Sequence, residues 1–536
     1  MKIKFSNAKN VFEGIELLQD ELGFEISENA KITVTVNEIE EDKLSVILKD
    51  NNIVIAYKEK VRFYRGLAYA MRWIKDGINE KELTETPLFK TNGAMFDSSR
   101  NAVINLKTVK MLLRKHALMG LNTFRLYPED TYEIKEYHYF GHLRGRYSKE
   151  EIRELDAYAI KFGIELVPCI QTLGHLATHL IWPDARRYKD GVSTLLVGSE
   201  ETYKLIDAMF RTISEYYTTK RIHIGMDETF DLGTGNYLET YGYKPRDDIF
   251  LEHMEKVRNI ALSYGLKPMM WSDMIFRHAG KNIENYVDYH QDVVFTPEII
   301  NKIPQGVTPV FWDYCNTDKE WFSLNIKKHH KIFKEDMIFA GGVWIWTGHC
   351  PLYSVSFKSS IAALSACKEN NVRNVMATAW LNGPEGSHIM ALAGIVWFAS
   401  FDYAGGFDID HIRETFRICF NASYDDMMSF ELPEKGIEEV EPSTRAMLYN
   451  DPFLGIADKH LNSVGNFFRD MTKKLEAIET ADIFKPACNI IRKLSSVLEN
   501  KGDFGIRLKT AYDNKDTEAL KKLLNECDII IKKCTP

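Results

Sequence analysis

At 536 residues the chain exceeds what one hydrophobic core serves, so roughly two to four domains are expected. Its composition, 45% hydrophobic and 27% charged with no low-complexity tract, is that of a globular protein rather than a disordered or fibrous one. Its 68 basic residues are outnumbered by 76 acidic ones, and the formal net charge of −8 argues against nucleic acid or an anionic membrane surface as partner.

The first residues, MKIKFSNAKNVFEG, carry no apolar core and no small-residue cleavage site, so no secretion signal is expected. No uninterrupted apolar stretch approaches the length of a membrane span. The eight cysteines are scattered without a C-x-x-C, which predicts reduced, mostly buried thiols and a cytoplasmic location. Residues 1–87 read as a small α/β domain. KITVTV and the pair KLSVILKD and NNIVIAYKE alternate at period two, Asp50-Asn51-Asn52 predicts a hairpin turn, and VRFYRGLAYAMRWI over 61–74 has helical spacing.

From 88 to 405 the texture changes. Short apolar runs recur, each followed by a polar or glycine-containing loop and then a helical segment. Eight candidate strands lie at 92–97, 122–127, 165–170, 221–225, 267–271, 309–314, 337–342 and 374–380. Between them come amphipathic helices such as LKTVKMLLRKHALMG and FLEHMEKVRNIALSYG. Eight β-then-α units in this span predict a (β/α)8 barrel. Residues 406–536 are helical in pattern throughout, so the expected architecture is α/β: a barrel with a small N-terminal α/β domain and an α-helical C-terminal domain.

In such a barrel the chemistry gathers at the C-terminal ends of the strands. Those ends carry Asp97 and Arg100, then Glu129 and Asp130, then Gln171 and His175, then Asp227 and Glu228. Trp271 and Asp273 follow the fifth strand, Asp313 and Tyr314 the sixth, Trp344 and Trp346 the seventh, Trp380 and Asn382 the eighth. Taken singly, each has an ordinary role: a tryptophan in a core, Arg100 in an ion pair, His175 capping a loop. No H-E-x-x-H or His-x-His pairing supports a metal, and the glycines of DLGTG do not frame a phosphate. Together, indole faces beside acids and amides suit a sugar.

The pair Asp227-Glu228 at the end of RIHIG is the sharpest feature. Adjacent residues on a regular strand face opposite ways, so both carboxylates reach one pocket only if the strand stops at Gly225–Met226. One could then stay protonated as a general acid while the other remains ionised. Acid-assisted departure of an alcohol from a glycoside is the reaction this favours. A second carboxylate is the usual nucleophile, yet residues 337–368, across the seventh strand, contain no Asp or Glu. An inverting enzyme with Asp273 or Asp313 as base stays open. So does a substrate that supplies its own nucleophile through the amide oxygen of a 2-acetamido sugar.

The stretch HIGMDE resembles the H-x-G-G/M-D-E signature of glycoside hydrolase family 20, the β-N-acetylhexosaminidases. FDSSR, LGH, WSD and TAW, after the first, third, fifth and eighth strands, support the resemblance, which extends over most of 88–400. The DLG variant and the helical C-terminal part are similar to a bacterial, intracellular, exo-acting branch. The resemblance implies Glu228 as general acid/base and Asp227 as the residue orienting the acetamido group while an oxazolinium intermediate forms. It implies Arg100 and His175 as sugar-binding residues. Trp271, Trp344 and Trp380 would be aromatic walls, and Tyr314 a donor to the acetamido oxygen. Glu129, Asp130 and Asp313 complete the expected substrate-binding set. No metal or other cofactor is implied. Two departures stand out. Asn382 occupies a place where better-known members have an acid, which Glu385 could replace, and Gln171 stands where many relatives have Asp.

The expected activity is retaining release of terminal non-reducing β-linked GlcNAc, or GalNAc, from an oligosaccharide or glycoconjugate. Two rivals remain: a β-glycosidase using Asp313, Asp273 or Glu385 as nucleophile or base, and a carbohydrate-binding barrel without catalysis. The apolar C-terminal helices could pack on a second subunit as readily as on the barrel, so a homodimer is among the allowed arrangements.

Overall fold

The computed structural model describes residues 1–100, 102–280, 288–381, 386–435, 444–458, 461 and 464–535. It divides into two compact units. The first comprises Met1–Gly342, Ser359–Thr378 and Trp397–Asp408, and the second Val343–Lys358, Ala379–Val396 and Ile409–Pro536.

The first unit opens with a sheet of β1 (Lys2–Ser6), β2 (Glu25–Ile26), β3 (Ile32–Glu38), β4 (Leu44–Lys49), β5 (Asn52–Tyr57) and β6 (Glu80–Glu85), in the order β2-β1-β3-β5-β4-β6. β4 and β5 form the anticipated hairpin: Lys49 pairs with Asn52, and Asp50 takes a φ of 54°, which an Asp tolerates. Leu44, Val46 and Leu48 are fully buried, whereas Ile47 between them is exposed, so alternation sets the face. β1, β2 and β6 were not predicted. β6 reads EKELTE and has no apolar alternation; it is a charged edge strand that β4 recruits through antiparallel pairing.

The helix Lys60–Lys75 is buried on nearly every side, which a surface helix is not. One side meets the sheet, where the Gly66 backbone passes so close to Leu44, Val46 and Ile55 that a Cβ would touch all three. The other side meets the barrel: Tyr64 Oη donates to Lys161 O at 2.9 Å, and Arg65 donates to Met119 O at 3.2 Å. Arg65 also grips both oxygens of Glu85 at 2.7 Å and lies 4.1 Å from the Tyr403 ring centroid. This bidentate pair is almost wholly removed from water.

The barrel strands are β7 (Gly93–Asp97), β8 (Thr123–Glu129), β9 (Glu165–Ile170), β10 (Arg221–His223), β11 (Lys267–Trp271), β12 (Thr308–Trp312), β13 (Ile338–Gly342) and β14 (Asn374–Ala379). They close in the order β10-β11-β12-β13-β14-β7-β8-β9, the eight-stranded parallel barrel expected. Outer helices are punctuated locally. Asn105 caps Leu106–Met119 by accepting from Thr108 N, and a Ser148–Glu151 capping box starts Lys149–Lys161.

The second unit is mainly helical. Val464–Glu476 and Lys485–Lys501 share a Thr472–Ser495 hydroxyl bond of 3.1 Å, and Phe504–Asp513 packs Phe504 and Ala511 with Leu523 of Thr517–Cys534. Among the described residues no single helix is long and apolar enough to cross a membrane. Five of the eight cysteines are buried thiols.

Burial makes the Arg65–Glu85 pair sensitive to losing one partner. Glu85→Ala should destabilise the first unit by about 3–5 kcal/mol, because Arg65 is left charged and buried, and Arg65→Met with Glu85→Leu should restore most of that. Denaturant midpoints of the three proteins check this.

Candidate active site

β10 is only three residues long, and its early stop shapes the site. Gly225 has a φ of 71°, Met226 of 74° and Glu228 of 50°, so the chain coils left-handedly as it leaves the barrel. At Met226 and Glu228, which carry side chains, that conformation costs about 1–3 kcal/mol each and must be held by neighbours. Met226 N donates to Gln171 Oε1 at 3.2 Å, and Glu228 N donates to Asp273 Oδ2 at 3.1 Å. A Cβ at Gly225 would collide with the Gln171 side chain. The result is the turn that the sequence required: both carboxylates reach one imidazole. His175 Nε2 lies 3.1 Å from Asp227 Oδ2 and 3.6 Å from Glu228 Oε2, and His175 itself has a φ of 55°.

The two acids sit in different electrostatic settings. Burial opposes ionisation of Asp227, but the charge of His175, the hydrogen bond to it and the Gln171 amide outweigh burial and hold its pKa below the usual aspartate range. Gln171 Nε2 donates to Asp227 Oδ1 at 2.8 Å. His175 responds in kind: burial lowers it, Asp227 raises it more, and its pKa reaches about 9. Burial and the neighbouring Asp227 both raise Glu228, which is the more exposed of the two carboxyls. Asp273, fully buried, is pushed up strongly by burial and by Asp227. One carboxylate is thus kept ionised beside another inclined to hold its proton.

A second cluster adjoins the first. Arg100 pairs with Asp97 at 2.8 Å and with Glu129 at 3.2 Å, and its guanidinium lies 5.6 Å from the Tyr127 ring centroid. Tyr127 Oη donates to Glu129 Oε1 at 3.2 Å and accepts from Gln171 Nε2 at 2.9 Å, which joins the two clusters. Burial lifts Glu129 to about 7 even beside Arg100. Asp130 is engaged by Arg144 at 2.5 Å and Thr178 at 3.3 Å, so it braces loops after β8 and β9.

Other predicted residues are placed differently. Trp271 is almost fully buried, its ring 4.4 Å from that of His223. The Asp313 carboxylate accepts from Cys315 N, Asn316 N and Trp321 Nε1, all at 3.0 Å, and so caps its own loop. Tyr314 lies with its ring 5.1 Å from Trp312, whose indole donates to Asp273 at 3.4 Å. Trp344 and Trp380 fall in the second unit, where Trp344 stacks on Trp346 at 4.9 Å. Asn382 and Glu385 lie outside the described residues. Tyr127 and Trp312 were not singled out from sequence. Each sits at the end of an apolar strand and reads there as core.

His175, Asp227 and Glu228 each offer one ligand atom, all within 4.8 Å of one another. A cation there would have to displace the His175 proton, whose charge already balances Asp227.

Residues 89–306 match the catalytic domain of glycosyl hydrolase family 20, and residues 423–535 match the glycoside hydrolase 20C C-terminal domain. Hexosaminidase D of Bos taurus is 26% identical over 293 residues, covering 52% of this chain and 75% of that protein. Beta-hexosaminidase subunit beta of Homo sapiens is 22% identical over 338 residues, covering 55% and 59%. Among solved structures, the GH20 exo β-N-acetylglucosaminidase of Vibrio harveyi shares the fold with a TM-score of 0.59, at 15% identity over 80% of this chain and 74% of that one. The chitobiase of Flavobacterium johnsoniae does so at 0.56, with 16% identity over 98% and 92%. With a catalytic-domain match that spans the Asp227–Glu228 pair and a C-terminal match from the same family, the chain belongs to glycoside hydrolase family 20 and is a glycoside hydrolase.

Proposed function

We propose that the protein is a retaining exo-β-N-acetylhexosaminidase that releases terminal, non-reducing β-linked GlcNAc or GalNAc, with the substrate's own amide as nucleophile. The observation that carries this reading is Asp227, clamped by His175 and Gln171 and kept anionic next to Glu228. The hexosaminidase and exo β-N-acetylglucosaminidase names of its relatives support the substrate class.

In the first step Glu228 protonates the glycosidic oxygen as the C1–O bond breaks. The acetamido carbonyl oxygen bonds to C1 from the other face, and the resulting oxazolinium carries its positive charge around the amide N–H. Asp227 accepts that N–H and stabilises the charge as it develops. In the second step Glu228, now a carboxylate, takes a proton from water as the water oxygen attacks C1. The C1–O bond to the amide breaks, and two inversions leave the β-configuration. Arg100, fixed by Asp97 and Glu129, would grip the sugar ring, with Asp130 bracing the loops beside it, and Trp271, buried against His223, would back the pocket wall.

The rival with a protein nucleophile fares worse. Asp273 is turned toward the Glu228 backbone amide and strongly inclined to stay protonated, which makes it a poor nucleophile. Asp313 is saturated by its own loop. Binding roles for Tyr314, Trp344, Trp380, Asn382 and Glu385 rest on the sequence resemblance.

Glu228→Gln should lower kcat/KM by about 10²–10⁴-fold on glycosides with poor leaving groups and far less on activated aryl glycosides. Asp227→Asn should cost about 10²–10³-fold with both kinds of leaving group, since the oxazolinium forms in either case. Near-normal steady-state rates for Asp227→Asn would rule the reading out. The pH dependence adds a sign. Asp227 works ionised, and its pKa is depressed partly by His175, so activity is lost as pH falls through that pKa. His175→Gln removes the countercharge, so the acid limb of kcat/KM should move upward by about one pH unit or more.

A further inference from the structure

The residue that holds Asp227 Oδ1 is an amide where the resemblance leads one to expect an acid. Gln171 is fully buried just after β9, and its amide hydrogen bonds run to Asp227 itself, to Tyr127 and to the Met226 backbone. An amide's oxygen and nitrogen are usually hard to tell apart. Here the backbone decides. Met226 N–H can only donate, so the atom 3.2 Å away must be Gln171 Oε1. Nε2 therefore faces the other way, and its two hydrogens go to Asp227 Oδ1 at 2.8 Å and Tyr127 Oη at 2.9 Å. Tyr127, having accepted, sends its own proton to Glu129 Oε1 at 3.2 Å. The direction of every bond in the chain Met226–Gln171–Asp227 and Gln171–Tyr127–Glu129 follows from that one backbone amide.

We propose that Gln171 is a positioning residue for the reaction: a donor that cannot titrate, which aims the Asp227 carboxylate and keeps it an acceptor at every working pH. The inference rests on the proposed role of Asp227 as the residue that receives the substrate's amide. A carboxylic acid in the same place could also donate to Asp227, but only while it kept its proton. Two carboxyls at this separation share one proton and lose it with a common, raised pKa. The groups facing Asp227 from the surrounding elements are Tyr127 from β8, His175 from the loop after β9, His223 from β10, Asp273 after β11 and Glu228 beside it. Only His175 among them brings a charge of opposite sign. Gln171 is thus the second, uncharged hold on a carboxylate already ringed by acids, and it stays in place when the His175 proton is lost.

The test compares Gln171→Glu, Gln171→Met and Asp227→Asn in the full chain, with an activated aryl β-N-acetylglucosaminide whose departure needs no acid. That substrate removes the alkaline limb belonging to Glu228, so a new limb can be seen. Gln171→Glu keeps the shape and the Met226 bond. It should act within about threefold of the native protein at low pH and lose at least about tenfold as pH rises through the shared pKa, creating an alkaline limb the native protein lacks. Gln171→Met should lower kcat by at least about tenfold at all pH values, with KM changed less than about threefold. A merely structural glutamine would give neither the new limb nor that split. Native-like pH profiles for Gln171→Glu together with native-like kcat for Gln171→Met, while Asp227→Asn is impaired, overturn the inference alone. Asp227→Asn at the native rate overturns the proposed function, and this inference with it.

Discussion

The site depends on one buried negative charge. Asp227 is removed from water, where a carboxylate is ordinarily unstable, and its ionisation is secured by a protonated His175 on one oxygen and the Gln171 amide on the other. The neighbouring acids answer to that charge. Glu228 and Asp273 both hold their protons more tightly, first because they are buried and further because Asp227 beside them is ionised. A carboxyl inclined to hold its proton and one kept ionised thus arise from a single asymmetry between adjacent carboxyls, which is what the proposed mechanism asks of them.

The barrel makes that asymmetry geometrically available. Had β10 continued through Asp227, the two side chains would have pointed to opposite faces. Its end at His223 and the left-handed residues that follow turn both inward, and Gln171 and Asp273 from the flanking strands fix the turn by its backbone amides. Glu129, the last residue of β8, and His175, after β9, repeat the device with positive φ. Strain at strand ends is held by hydrogen bonds between neighbouring strand ends, so the residues that bind the backbone are also those that set the charges.

Much of the fold was legible because the barrel strands are buried on both faces and read as apolar runs: Glu165–Ile170 and Lys267–Trp271 fall where the sequence put them. The hairpin was legible from alternation and its Asp-Asn turn. β6 was not, since EKELTE becomes a strand only through pairing with β4. In the site, the Asp-Glu pair announced itself by being electrostatically awkward. Gln171 looked like a departure from a pattern, because a glutamine's role depends on which way its amide faces, and Met226 decides that only after folding. Tyr127 was hidden in an apolar run. Asp313 looked like a site acid by position, yet donors within ten residues of it occupy its oxygens.

The central claim is that Asp227 serves the substrate's own acetamido group rather than a protein nucleophile. Its most direct test compares hydrolysis of the 4-nitrophenyl β-glycosides of GlcNAc and glucose, with and without the oxazoline mimic thiazoline. The account predicts a preference for the N-acetyl sugar of at least about 10³-fold in kcat/KM, with tight thiazoline inhibition. Comparable rates on both sugars, untouched by thiazoline, would contradict it.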